Sequence, residues 1–474
     1  MPTVMQWTEH LLGRIGAQQQ YAAPYEARYR NEYAVPFVEK EFRDVYGSQV
    51  DLLKPRLEAP RAGRAAVVVD ALTERTTVMG ATSDDAEAAR VVQEAWEDND
   101  LDVMHREAHR EAFIKSRSFA SVHRSDDDRA VVGIESPEQM AVHRMSAPPY
   151  DVDASLKVAA DEWTGKGTGL LRLPGRDLQL VKVDQPVLDP EDPESGRMSR
   201  WVPIEEFKTR LPWVPTVEFS SHPRLLAEPI SEIEPITTLV DLGDLIEALL
   251  VFAGHFGAVP ITFGTGLSAL LDPKDPSKPL LGSDGKPQIG FKPRADHFWA
   301  DSNSDAKFGR LMPASLDTFV QWAQHNNSAL RAKTSLASTY FALDLRSHMD
   351  AELLKTDEAP MVRRVLGIGR DGSFGQSWRR VDRMILAMER PNSRARVWPR
   401  WADPETRVES QATDSAQKQT AMGLGVSVVA EKTLGWDKET VKRAVEEAQE
   451  AQERAAEADP LTRATRNLND LSGQ

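Results

Sequence analysis

The chain has 474 residues, 41 % of them apolar, a formal charge of −15 and no cysteine. Such a length predicts two or more packed units, since a domain takes roughly 150 residues. The missing cysteine excludes disulfides, thiolate metal sites and a nucleophilic thiol, and it fits folding in a reducing cytoplasm.

Residues 1–16, MPTVMQWTEHLLGRIG, lack the charged start, apolar core and small-residue cleavage site of a secretory signal. They read as an amphipathic helix, so export is not expected. A mean hydropathy of −0.45 fits a soluble protein. The longest apolar stretch, 245–256, contains Glu247 and His255 and falls short of the ~20 residues that span a bilayer.

The first 130 residues predict an α+β body, with helices at 5–16 and 84–119 and an apolar run at 65–69 compatible with strand or helix. Strands are expected at 131–134, 140–143 and 170–183, with Pro/Gly/Asp turns between them. A short strand at 214–219 follows. Ser231 and Glu234 then stand at capping-box spacing, which predicts a long helix starting there. Its apolar positions Ile236, Leu239, Val240, Leu242, Ile246, Leu249, Leu250, Ala253 and Phe256 suit packing among neighbours, and Pro260 ends it.

Residues 259–314 hold six glycines and seven prolines, which predicts a β-hairpin insertion with exposed turns. A second long helix follows Pro313 and carries Leu316, Phe319, Val320, Ala323 and Leu330 to near Ser338. A third is expected after the Ser347–Asp350 cap, kinked at Pro360. Phe374, Trp378, Val381, Ile385 and Met388 mark a fourth. Residues 398–404 read as extended. The tail from Ala412 reads as helical with breaks at Gly423, Gly425 and Gly435, and its last helix, 438–458, has a thin Val441, Val445 and Ala448 stripe.

Charge is uneven: 331–394 has twelve Lys/Arg against eight Asp/Glu, whereas 431–459 has five against nine. The plain reading is solvated helix faces; the functional one is a cationic middle near phosphates.

Chemical motifs are sparse. His105 and His109 in HREAH lie one helical turn apart, a spacing able to share a metal, which makes a metal-dependent hydrolase one reading. Arg106 stands where the zincin signature has Glu, and no third ligand is evident. Residues 282–286, GSDGK, look superficially like a phosphate loop, but Pro287 follows in place of a helix-opening Ser/Thr, so a hairpin turn is expected. There is no G-x-S-x-G elbow, and the carboxylates Asp126, Asp127 and Asp128 sit in a turn between arginines. A small-oligomer adaptor that uses the C-terminal helix as a partner arm is the non-enzymatic alternative.

Several stretches taken in order resemble the portal proteins of tailed bacteriophages, specifically the siphophage type found in actinobacteriophages. They are 64–70 (RAAVVVD) with 78–80, then 96–101 (WEDNDL), and 215–264 with Ser231–Ile233, Asp241 and Gly264. Near the end come Val397, Trp398, Asp403, Pro404, 421–425, Ala430 and 434–436. Departures are Ser220, Ser221 and His222, where asparagines are common, and Asn326 and Asn327, which are expected to interrupt the second long helix.

The resemblance implies an α+β portal fold with a wing at 1–230 and 340–408, a two-helix stem at 231–258 and 315–339, a β-containing clip at 259–314, and a helical crown at 409–474. A tunnel loop would lie at 341–346. It implies no enzyme and no cofactor. Expected instead is a homo-oligomeric ring of about twelve copies at a capsid vertex of the virion, assembled in the host cytoplasm. The ring would conduct double-stranded DNA non-specifically in packaging and ejection. Its partners would be the major capsid protein, the terminase large subunit and the head-to-tail adaptor, with no membrane. Arg331, Lys333 and Arg346 are the expected channel cations, and Lys286, Lys292 and Arg294 the expected clip docking surface.

Overall fold

The computed structural model describes residues 2–34, 62–125, 127, 129–146, 151–209, 211–225, 227–258, 262–272, 275–282, 286–288, 303–310, 315–341, 351–405, 409–432 and 441–449. By contacts the chain divides into two units, Met1–His348 with Thr356–Pro404, and Met349–Lys355 with Glu405–Gln474.

The larger unit opens with α1 (Val4–Tyr29), which starts in a capping box: Thr3 Oγ1 accepts from Gln6 N–H, and the Gln6 side chain accepts from Thr3 N–H. It runs through Pro24 and well past the expected end at residue 16. The ambiguous run at 65–69 is helical, inside α2 (Arg64–Arg75). β1 (Val78–Ser83) follows, then α3 (Ala86–Asp98) and α4 (Leu101–Lys115) in place of the single helix expected at 84–119. The break falls at Asn99 and Asp100, where Asp100 adopts a left-handed backbone that Asp tolerates better than most residues.

β2 (Arg117–Arg124) is central in a three-stranded antiparallel sheet, flanked by β3 (Ala130–Glu135) and β9 (Thr216–Ser220). Between β3 and β9 lies a five-stranded antiparallel meander in sequence order: β4 (Met140–Arg144), β5 (Val152–Ala160), β6 (Gly167–Leu173), β7 (Arg176–Leu188) and β8 (Met198–Lys208). The expected stretch at 170–183 is thus two strands, and β5 and β8 are additional.

α5 (Thr237–Ala258) and α6 (Leu316–Thr334) are the two long helices expected on either side of the Pro/Gly-rich insertion. Between them β10 (Thr262–Thr265) pairs antiparallel with β13 (Lys307–Arg310), and β11 (Leu271–Asp272) with β12 (Asp275–Pro279), as the Pro/Gly-rich insertion suggested. α7 (Ala351–Ile368) is helical through Pro360, and α8 (Ser373–Glu389) buries all five of the expected apolar positions. β14 (Val397–Trp401) closes the unit by pairing antiparallel with β1, Val78 opposite Trp401 and Ser83 opposite Val397.

Two cores carry this arrangement. The main one joins α2, α3, α4, β2, β9 and α8 around the fully buried Trp96, Phe113, Phe219, Phe374 and Trp378. It also takes in Ile233, Ile236 and Val240 ahead of and within α5, and Leu330 of α6, so both long helices are rooted in it. Burying one such side chain contributes on the order of 1.5–3 kcal/mol. The second core lays Val4, Leu11 and Ile15 of α1 on Leu156, Leu171 and Leu180 of the meander.

In the smaller unit α9 (Glu409–Ala421) and α10 (Val426–Lys432) are separated by Gly423, which has positive φ. Residues 441–449 are helical. Pro260, the Ser347–Asp350 cap, Gly435 and the end of the last expected helix lie outside the described residues. No described helix is long and apolar enough to cross a membrane.

Candidate functional site

The pair α5 and α6 is joined to the body through charge. α5 is strongly apolar, yet Asp241, Asp244 and Glu247 recur along it at three-residue spacing, which places them near one stripe. Each is met by a group from the body. Arg28 of α1 grips Asp241 with two hydrogen bonds of 3.0 and 2.9 Å and lies 4.9 Å over the Tyr33 ring. Tyr33 donates to Asp244. Arg64, the first residue of α2, reaches Asp244 at 3.2 Å and also Glu247.

Burial raises the Glu247 carboxyl, with Arg64 opposing. The Arg28 guanidinium is raised by its hydrogen bonds to Asp241. Burial and the bond to Asp244 push the Tyr33 phenol far up, so it stays a donor.

The expected capping box at Ser231 and Glu234 is not formed. Ser231 Oγ accepts from Ile233 N–H and donates to the Phe113 carbonyl, while Glu234 is taken by the Tyr21 hydroxyl. The segment enters as a 3-10 turn at Glu234–Ile236 with Pro235 inside, and α5 begins only at Thr237. Glu232, fully buried, accepts from Arg364 of α7 and lies 3.0 Å from His222 Nε2.

Asn326 and Asn327 do not interrupt α6; they tie it to its surroundings. The buried Asn326 donates to the Leu239 carbonyl of α5 at 3.0 Å, and Asn327 accepts from Arg64 Nε at 3.2 Å. α6 ends at Thr334, four residues before Ser338, because Ser335 turns left-handed.

The expected channel cations are separated. Arg331 pairs with Asp357, whose second oxygen accepts from the backbone and hydroxyl of Ser338, so it clamps the end of α6. Lys333, the last residue but one of α6, is exposed. Arg346 lies outside the described residues, as does the tunnel loop beyond Phe341. Lys286 is exposed in the turn that Gly282 N–H closes on the Lys286 carbonyl at 2.8 Å, a hairpin and not a phosphate loop. Lys292 and Arg294 lie outside the described residues, as do Asp126 and Asp128.

The metal reading of His105 and His109 fails on geometry. Both rings are fully buried. His105 Nδ1–H donates to the Leu101 carbonyl and its Nε2 accepts from Val78 N–H. His109 Nε2 accepts from the Trp378 indole N–H at 2.8 Å, and the ring stacks on Phe374 at 4.4 Å. Burial lowers both imidazoles, so they are neutral, and the nitrogen lone pairs a metal would need are already occupied. Among the described residues no group of three His, Cys, Asp or Glu side chains is placed to hold a metal.

Sequence reasoning missed Arg28, Tyr33 and Arg64. A signal existed: three acids inside an otherwise apolar helix demand partners.

No family model matches the chain. Two curated relatives do. The chain is 22 % identical over 384 residues to the portal protein of Mycobacterium phage L5 and 23 % identical over 394 residues to that of Mycobacterium phage D29. Each match covers 77 % of this chain and 73 % of the relative. Among solved structures, a chain of the virion of a native gene transfer agent particle overlays with a TM-score of 0.41 at 11 % identity, covering 82 % of this chain and 93 % of that one. A chain of the native particle's neck, computed with C12 symmetry, overlays at 0.42 and 10 % identity, covering 80 % and 91 %. The chain is thus similar to two mycobacteriophage portal proteins over about three quarters of its length.

Proposed function

We propose that the chain is the subunit of a ring of about twelve copies that sits at one capsid vertex of a virion and conducts double-stranded DNA in packaging and ejection. The relationship to portal proteins over most of the chain is the observation that carries this reading. The architecture supports it: two long helices, rooted in the body core, flank a β insertion.

On this reading 1–230 and 340–408 are the wing that meets the major capsid protein. The stem is 231–258 with 315–339, and the clip is 259–314, with Lys286, Lys292 and Arg294 on the face offered first to the terminase large subunit and then to the head-to-tail adaptor. The crown is 409–474. ATP hydrolysis belongs to the motor, and assembly takes place in the host cytoplasm.

A conduit must let DNA slide. Each Lys/Arg–phosphate contact adds salt-dependent affinity and so retards motion. An acidic chain with most stem-root arginines already paired to carboxylates meets that requirement. Arg331, Lys333 and Arg346 are the cations assigned to the lumen. Lys333→Glu is the clean variant, because Lys333 is exposed, whereas Arg331→Glu also unpairs Asp357. Reversal at Lys333 and Arg346 is expected to lower the yield of DNA-filled heads. Unchanged filling after reversal at all three positions would remove them from the lumen.

A further inference from the structure

The root of the long-helix pair contains one close approach that only glycine permits. A Cβ added at Gly243 of α5 would sit 2.7 Å from Cζ, 2.8 Å from Nη1 and 2.9 Å from Nε of Arg64. An exposed arginine would swing aside from such a group at little cost. Arg64 cannot, because its side chain is 6 % exposed and holds Asp244, itself 2 % exposed, together with Glu247 and Asn327. Displacing the guanidinium strands buried carboxylates, one of the costliest changes a core can suffer.

Arg64 is also rigidly mounted. It opens α2, whose next residues Ala65, Val68, Val69 and Leu72 are in the main core, and it follows Gly63, whose φ of +61° turns the chain into the helix. One planar fork thus links the body to α5 through Asp244 and Glu247 and to α6 through Asn327.

We propose that Arg64, seated on Gly243, is the positioning residue of the conduit: it sets how the long-helix pair is attached to the body. The conduit role rests on the portal function; the joint itself rests on geometry alone.

The test is a cycle on the full chain comparing wild type, Gly243→Ala, Arg64→Lys and the double variant. Lysine keeps the charge but withdraws the fork, so the variant retains a partner for the carboxylates. Alanine is the better helix former, and Gly→Ala inside a helix ordinarily stabilises. Here Gly243→Ala is expected to lower the melting midpoint of the wild type by at least about 3 °C, and to leave it unchanged or raise it when residue 64 is Lys. A rise in both backgrounds overturns the joint.

In complementation of a phage lacking this gene, Gly243→Ala is expected to keep the yield of heads while the DNA-filled fraction falls several-fold. If the melting cycle inverts as expected and filling is untouched, Arg64 is not a positioning residue for the conduit. If the wild-type chain itself supports no filled heads, the portal reading falls and the joint does not.

Discussion

At the scale of single residues, the clearest device is Asp382 of α8. It is fully buried against Trp96, whose indole N–H donates to Oδ1 at 2.9 Å, while Oδ2 is buried with no hydrogen-bond partner. Burial pushes its carboxyl up to about 7, with the Trp96 bond opposing. The unfolded value is about 3.9, so the folded state binds the extra proton between these limits. Stability is therefore fully present below about pH 4 and is lost as pH rises through about 7. Asp382→Asn keeps an acceptor for Trp96 and removes the ionisation. Its melting midpoint relative to the wild type should climb between pH 4 and pH 8, by the equivalent of a few kcal/mol, and a pH-independent difference would show that Asp382 does not titrate there.

His105 and His109 make the complementary point. Their one-turn spacing was legible, but what occupies their nitrogens was not, because Val78 and Trp378 come from distant parts of the chain. A dialysed sample is expected to hold well under one zinc per chain. Trp378→Phe, which strands His109 Nε2 without its donor, should destabilise by about 1–3 kcal/mol. A stoichiometric metal, or an unaltered melting midpoint in that variant, contradicts these assignments.

At the scale of elements, apolar periodicity exposed α8, the apolar body of α5 and the strands β3 and β4, since these elements obey a single local rule. Element ends were set by partners far away in sequence. α1 outruns its expected end at residue 16 because Arg28 and Tyr21 continue to find partners at Asp241 and Glu234. The Ser231 capping box loses to the same tyrosine. Asn326 and Asn327, poor helix formers when exposed, are kept inside α6 by the Leu239 carbonyl and Arg64. Asn326→Ala should therefore cost about 1–2 kcal/mol despite its better helix propensity, while Gln324→Ala on the exposed side of α6 should change the midpoint little. Equal effects of the two substitutions would mean that the Asn326 bond does not hold the pair together.

At the scale of the whole molecule, the α+β class and the pair of long helices around a hairpin insertion were legible from punctuation: Pro/Gly-rich runs bounding long apolar stripes. The meander was only half legible. β5 and β8 mix apolar and polar residues without clean alternation, and Pro203 lies inside β8, where it is tolerated on a sheet edge. The ion-paired root of the long helices was invisible as an arrangement, because Arg28 and Arg64 lie more than 170 residues before the carboxylates they meet.

The proposed function requires the chain to close into a ring. Native mass spectrometry of the purified chain, with negative-stain images of the same sample, tests it most directly. Particles near a dozen-fold multiple of 52.8 kDa with a central hole are expected. A chain that remains a monomer at high concentration, and still forms no ring when the capsid protein is supplied, would contradict it.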